Sequence, residues 1–228
     1  YPYECTEQTV SRFLPNVLTF SALQSLGIEN KELADRLPGL VEEGLNKLYV
    51  QQKPDGGWGW WAADESNVHV TAYVVFSLTK AQQAGVDISA TVLANGLNFL
   101  LNHLQATRQL NTTFDANRHA FVLYALAEGN AAPPDALEDL FEAREKLAHY
   151  ARAYLALALD LTNARKYEGN IDTLLSHLSN AAILSATGAY WEEDRYDWWA
   201  MNTDTRSTAI VLDTLARLDP DNALISNV

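Results

Sequence analysis

Apolar residues recur at helical spacing through most of this chain, and no segment shows the two-residue alternation of a half-buried strand. In residues 8–26, QTVSRFLPNVLTFSALQSL, the residues Val10, Phe13, Leu14, Val17, Leu18 and Leu23 fall at helical spacings. Pro15 lies inside that run, which predicts a kink or a helix restarting near it. Residues 38–52 predict a second amphipathic helix with Pro38 in its first turn, ended by the breaker Pro54-Asp55-Gly56-Gly57.

A weak repeat follows. Segments 71–85, 119–130, 151–163 and 208–220 each set a small residue (Ala72, Ala120, Ala153, Ala209) ahead of an apolar helical run. Partner helices are predicted at 89–105, 135–148 and 170–186. Such units suggest inner and outer layers of helices, because close helix approach needs small side chains beside large ones. Two loops, KPDGGWGWWAADES (53–66) and GAYWEEDRYDWWAMNTDTRS (188–207), precede the first and last repeats and hold all six Trp. They share one order: Gly, Trp cluster, acidic residues, Ser or Thr, then an apolar helix. That parallel points to duplication.

The 228 residues fit one domain, or at most two small ones. With 16 Lys and Arg against 29 Asp and Glu, the net charge of −13 opposes nucleic-acid and anionic-membrane binding. No apolar run reaches the roughly 18 residues of a membrane span, so direct membrane insertion is not expected. The chain opens on Tyr1 with neither Met nor signal peptide, which predicts a piece excised from something larger. Five scattered His and one Cys show no ligand spacing, so no metal is expected. GGWG lacks the phosphate-cradling pattern, and no cofactor is expected.

The lone Cys5 rules out an internal disulfide and leaves three roles: inert core residue, reactive group, or intermolecular linker. It stands in YPYECTEQT, three residues before Gln8. On a helical turn that spacing brings Cβ atoms about 5–6 Å apart, so sulfur and carboxamide can meet. A Cys at a helix N-terminus also gains thiolate character. Attack on the Gln8 amide with loss of ammonia would give an internal acyl thioester, open to amines, hydroxyls and water. Such a bond persists only where water is excluded. Tyr1, Tyr3 and the Trp loop residues Trp58, Trp60 and Trp61 are the candidate cover, with core packing the competing role for the three Trp.

YPYECTEQT resembles the thioester motif of bacterial alpha-2-macroglobulin-like proteins, relatives of the animal macroglobulins and complement components. QQKPDGGWGWW followed by ESNVHVTAYVVFSL resembles the segment that follows in the same domain, and the resemblance covers nearly the whole chain. It implies an all-α fold, an α/α toroid of helical hairpins in two concentric layers. A further Trp-containing hairpin usual in the family does not follow DPDNALISNV, so the expectation is a toroid lacking its last hairpin. The resemblance also implies a large periplasmic or secreted bacterial parent, lipid-anchored in some forms, whose partners are attacking proteases and neighbouring macroglobulin domains. Capture of this kind is stoichiometric, not enzymatic, and serves evasion of host defence. Cys5 would carry the acyl group and Gln8 supply the acyl carbon.

Two positions depart from the family pattern. Glu4 stands where Gly is common, placing a carboxylate beside the sulfur that should disfavour thiolate, and Thr6 stands where Leu or Gly is common. Complement-type members use a downstream His to steer acyl transfer. His103 and His119 lie in that region without a recognisable motif and are expected to be structural.

The alternative is an α/α-toroid enzyme acting on carbohydrate or terpenoid substrates. QQKPDGGW also resembles a motif of terpenoid cyclases, but Asp204 beside Arg206 is a poor acid for protonating an alkene. Trp191, Trp198 and Trp199 beside Glu192, Glu193, Asp194 and Asp197 could stack sugars, yet such a charge run is expected to face solvent.

Overall fold

A computed structural model describes residues 4–28, 30–107, 110–186, 188–197 and 202–228. These divide into two compact units, Tyr1–His103 and Leu104–Val228. Both are built of helices, so the expected all-α class holds.

The first unit holds α1 (Thr6–Ser25), α2 (Lys31–Gln51), α3 (Val68–Gln83) and most of α4 (Ala90–Ala106). Helix α1 packs on α2 and α3 through part of the predicted stripe: Val10, Phe13, Leu14 and Val17 are buried, whereas Leu18 is exposed and Leu23 half-buried. Neither Pro15 nor Pro38 ends its helix. Pro38 sits in the interior of α2 and not in its first turn, which corrects the predicted start. Both prolines are exposed, so the carbonyl each leaves without an amide partner can be hydrated, which makes an interior proline tolerable.

The second unit holds α5 (Thr113–Glu128), α6 (Pro134–Glu142), α7 (His149–Asn180) and α8 (Asp204–Leu218), with 3₁₀ turns after α6 and at Ile225–Asn227. Helix α7 is its axis, packing on α5, α6 and α8. It absorbs two of the predicted helices, 151–163 and most of 170–186, in one element bent at Asn163 (φ −167°, ψ 86°). The Asn163 carboxamide oxygen accepts from the Lys166 amide at 3.1 Å, restarting the second half as an N-cap would. Tyr154 of α7 stacks on Tyr124 (5.1 Å between centroids) and tilts against Phe121 (5.2 Å), both from α5. The run predicted as helix to residue 186 instead stops at the Ala181 cap. A hairpin of β1 (Ile183–Ser185) and β2 (Gly188–Tyr190) follows. Its strands are three residues each, too short for an alternation to show in sequence.

The duplication read from the Trp loops is present down to single hydrogen bonds. Trp58 is fully buried, and its indole N–H donates to the carbonyl of Leu48 at 2.7 Å, in the last turn of α2. Trp191, also fully buried, donates to Leu178 at 2.8 Å, in the last turn of α7. Each Trp backbone is gripped by a Thr in the helix that follows. Thr71 Oγ1 accepts from the Trp58 amide (2.9 Å) and donates to its carbonyl (3.2 Å). Thr208 Oγ1 repeats this with Trp191 (3.0 and 3.4 Å). Thr71 and Thr208 directly precede Ala72 and Ala209, the small residues of the repeat. Helix α4 closes over Trp58 at Gly96, where a Cβ would lie 2.9 Å from the Trp58 ring and 2.7 Å from Val75.

Trp58→Phe and Trp191→Phe each strand a buried helix-end carbonyl and should cost about 1–3 kcal/mol in urea unfolding. Trp61→Phe, at a half-exposed ring, should stay within about 0.5 kcal/mol of wild type.

Candidate functional site

Cys5 is the N-cap of α1, in extended backbone (φ −73°, ψ 166°) and 8% exposed. Its sulfur accepts the Gln8 amide N–H at 3.5 Å, while its own N–H donates to Gln8 Oε1 at 3.2 Å. The pair forms a reciprocal capping box with Cys in the place that Ser or Thr usually holds. Gln8 is exposed, and its side chain is folded back onto Cys5, as the three-residue spacing predicts. The Cys5 carbonyl takes the Thr9 amide at 3.0 Å and the Thr9 hydroxyl at 3.1 Å, so the first turn is tied at both ends.

The first Trp loop holds this turn from the side. The Thr6 amide donates to the Trp60 carbonyl at 2.9 Å. The Thr6 hydroxyl donates to the Gly59 carbonyl at 2.7 Å and lies 3.2 Å from Gln51 Oε1. Thr6 is 1% exposed. An N-terminal helix amide has no partner within its own helix, and here the loop supplies one.

The candidate cover residues separate. Trp58 is drawn into the core by its bond to Leu48, the packing role allowed for it. Trp60 is half-buried and meets the site through its backbone carbonyl. Trp61 is 50% exposed beside them. Tyr1 and Tyr3 lie outside the described residues.

Glu4, which the sequence marks only as a departure, is held from two helices. Its side chain is 7% exposed, with Arg12 of α1 at 2.8 Å and Lys47 of α2 at 3.1 Å. Lys47 also pairs with Glu43 at 2.7 Å. Burial pushes the Glu4 carboxyl up, but hydrogen bonds from Arg12 and Lys47 and their charges outweigh it and leave it below the ordinary carboxylate range. The carboxylate expected to oppose the thiolate is thus neutralised by two cations. No short sequence pattern joins Glu4 to Lys47, 43 residues on.

Two His residues have described positions near the repeat helices. His119 Nδ1–H donates to the Asp115 carbonyl at 2.8 Å and its Nε2 lies 3.3 Å from the Thr107 hydroxyl. His103 stands in the last turn of α4. The acidic run of the second Trp loop does not all face solvent as expected. Glu193 accepts the His149 and Tyr150 amides at the start of α7, both at 3.2 Å. Asp197, 3% exposed, accepts from Arg118 at 3.2 Å, and Asp204 accepts the Glu193 amide at 2.9 Å. Free helix amides draw Glu193 inward and the half-buried Arg118 guanidinium draws Asp197. With Trp191 fully buried as well, these side chains are committed to the fold. Trp198 and Trp199 lie outside the described residues. Among the described residues, no group of three or more His, Cys, Asp or Glu is placed to hold a metal. No helix among them is long and apolar enough to cross a membrane.

A carboxylate with a depressed folded-state pKa stabilises the fold above its unfolded value and loses that contribution as pH falls through the folded value. Glu4→Gln should thus be less stable than wild type by a constant margin from about pH 8 to about pH 5. The margin should narrow below about pH 4, as read from urea midpoints at successive pH values.

The sequence profile of the A-macroglobulin TED domain matches residues 1–216. Alpha-2-macroglobulin of Thermotoga maritima is 42% identical over 106 residues, covering 46% of this chain and 6% of that protein. The solved structure of Salmonella alpha-2-macroglobulin reacted with methylamine superposes on 99% of this chain with a TM-score of 0.76 and 25% identity. Trypsin-activated alpha-2-macroglobulin from Escherichia coli superposes on 97% with a TM-score of 0.72 and 26% identity. This chain spans 15% of each of those two solved chains. By the match along nearly its whole length, the chain belongs to the family of A-macroglobulin TED domains.

Proposed function

We propose that residues 1–228 are one thioester domain of a larger bacterial macroglobulin-like protein, and that Cys5 and Gln8 close an internal thioester in it. The observation that carries this reading is the reciprocal capping box, which holds the Gln8 carboxamide against Cys5 at the start of a helix. Proximity of this kind is the main requirement for a ring-closing acyl transfer. The Cys5 sulfur bonds to the Gln8 carbonyl carbon, the carbon–nitrogen bond breaks, and the thiol proton leaves with ammonia. A primary amine then attacks the same carbon, leaving an amide at Gln8 and a free Cys5 thiol.

The amine in the parent protein is a Lys of an attacking protease, brought close when the parent is cleaved elsewhere. The event happens once per molecule, so the domain is a stoichiometric trap and not an enzyme. Tyr1, Tyr3, Trp60 and Trp61 shield the bond together with neighbouring macroglobulin domains, and Trp58 supports the loop that carries two of them. The parent works in the periplasm or outside the cell, where foreign proteases are met. Two relatives support this reading: the E. coli protein was solved after activation by trypsin, and the Salmonella protein after reaction with methylamine, a primary amine.

Intact mass tests it. Freshly purified protein should be one ammonia lighter than its sequence, and methylamine should add its own mass and release one titratable thiol. Cys5→Ser keeps a capping hydroxyl and should fold with a stability change of about 1 kcal/mol or less, yet show the full sequence mass and no methylamine adduct. Full sequence mass in the wild-type protein, with Gln intact at position 8, would overturn the reading.

A further inference from the structure

Glu4 takes no part in the capping box, yet its carboxylate is buried and bridged from two helices. Arg12 holds one oxygen from α1, Lys47 holds the other from α2, and Glu43 balances Lys47. The four side chains form a neutral quartet. It ties residue 4 down at the point where the extended backbone of Cys5 turns into the helix. From the opposite side, Thr6 is pinned by the Gly59 and Trp60 carbonyls. Cys5 is thus clamped between two anchored neighbours.

We propose that Glu4 is a positioning residue for thioester closure, and that its bridges to Arg12 and Lys47 hold Cys5 where its sulfur meets the Gln8 carboxamide. The inference rests on the thioester reading above. Both Glu4 oxygens are engaged by cations, so Glu4 acts on the reacting atoms through the Cys5 backbone and not by contact. The closure needs no co-reactant: the sulfur–carbon bond forms as ammonia leaves with the thiol proton. The bridges also account for a Glu in a place where a carboxylate would otherwise oppose the charge building on sulfur. Arg12 and Lys47 balance the charge of the Glu4 carboxylate, and the hydrogen bonds from these same two cations keep Glu4 ionised against burial.

Such a clamp matters because a misplacement of about 1 Å can cost about a hundredfold in an intramolecular reaction. The test uses the full 228-residue chain. Every molecule that has closed is either one ammonia light or, if the ring has since hydrolysed, carries Glu at position 8. The sum of the two, read by intact and peptide mass with Cys5→Ala as the blank, is the closed fraction.

Glu4→Ala should lower the closed fraction about tenfold. Lys47→Met, which removes one bridge from a partly exposed position, should lower it less, and Lys47→Arg should restore it. Leu159→Val, a core change in the other unit, serves as a control that loses stability without touching the clamp, and should close like wild type. If Glu4→Ala does not fold, the contrast between Lys47→Met and Lys47→Arg decides the matter. A wild-type closed fraction in Glu4→Ala, or equal fractions in Lys47→Met and Lys47→Arg, would overturn the positioning role while leaving the thioester intact. Absence of any closed form in the wild type would overturn the thioester reading itself.

Discussion

A long helix ends with carbonyls that no residue of its own can satisfy, and the first unit solves this for α2 by burying an indole under it. The bond from Trp58 to the Leu48 carbonyl sets the depth of the whole loop 53–66. Thr71 then grips the Trp58 backbone from α3, and α4 can pass overhead only because Gly96 offers no Cβ. With the ring placed, the next two carbonyls of the loop, Gly59 and Trp60, point at Thr6 and dock the start of α1. Cys5 is one residue away. The candidate chemistry thus hangs from a helix end through a chain of hydrogen bonds, and each link is buried, where a lost partner costs most.

The second unit repeats the anchor and spends its loop differently. Trp191 meets Leu178 and Thr208 as Trp58 meets Leu48 and Thr71. Two of its acidic residues turn to structural ends, Glu193 to the amides of α7 and Asp197 to Arg118, while Glu192 and Asp194 are exposed. No cysteine follows. The way a Trp loop joins two helices is repeated, while Cys5 and Gln8 stand beside one copy alone. That division explains why the alternative of a sugar-processing enzyme is poorly served by these acids. A stacking platform needs an open ring face, and Trp191 is fully buried, while Glu193 and Asp197 are engaged by helix amides and a cation.

Helix positions were legible because the apolar period is strong: the stripe of α1, the Ala-led runs of α3, α5, α7 and α8, and the breaker after α2 all read directly from the residues. Prolines misled. Pro38 reads as a start, yet α2 begins at Lys31, because at an exposed position water can take the carbonyl that the proline leaves unpaired. The hairpin at Ile183–Tyr190 was invisible since two three-residue strands have no period to detect. Asn163 shows the reverse case: the boundary of two predicted helices is real, but a side-chain cap joins them into one bent element.

At the site itself, the sequence alone determined that Cys5 and Gln8 can meet, since three residues on a helical turn is a matter of local geometry. It also marked the two Trp loops as copies, because their order of residue types survives whatever surrounds them. Only the tertiary structure decided that the Glu4 carboxylate is paired with two cations. Its partners lie 8 and 43 residues away on two helices, and the pairing of a charge with distant cations depends on how α1 and α2 pack. The fate of Trp58 and Trp191 was decided there too, for a Trp becomes a helix-end donor and not a surface shield only when a chain end and a depth of core are brought to it.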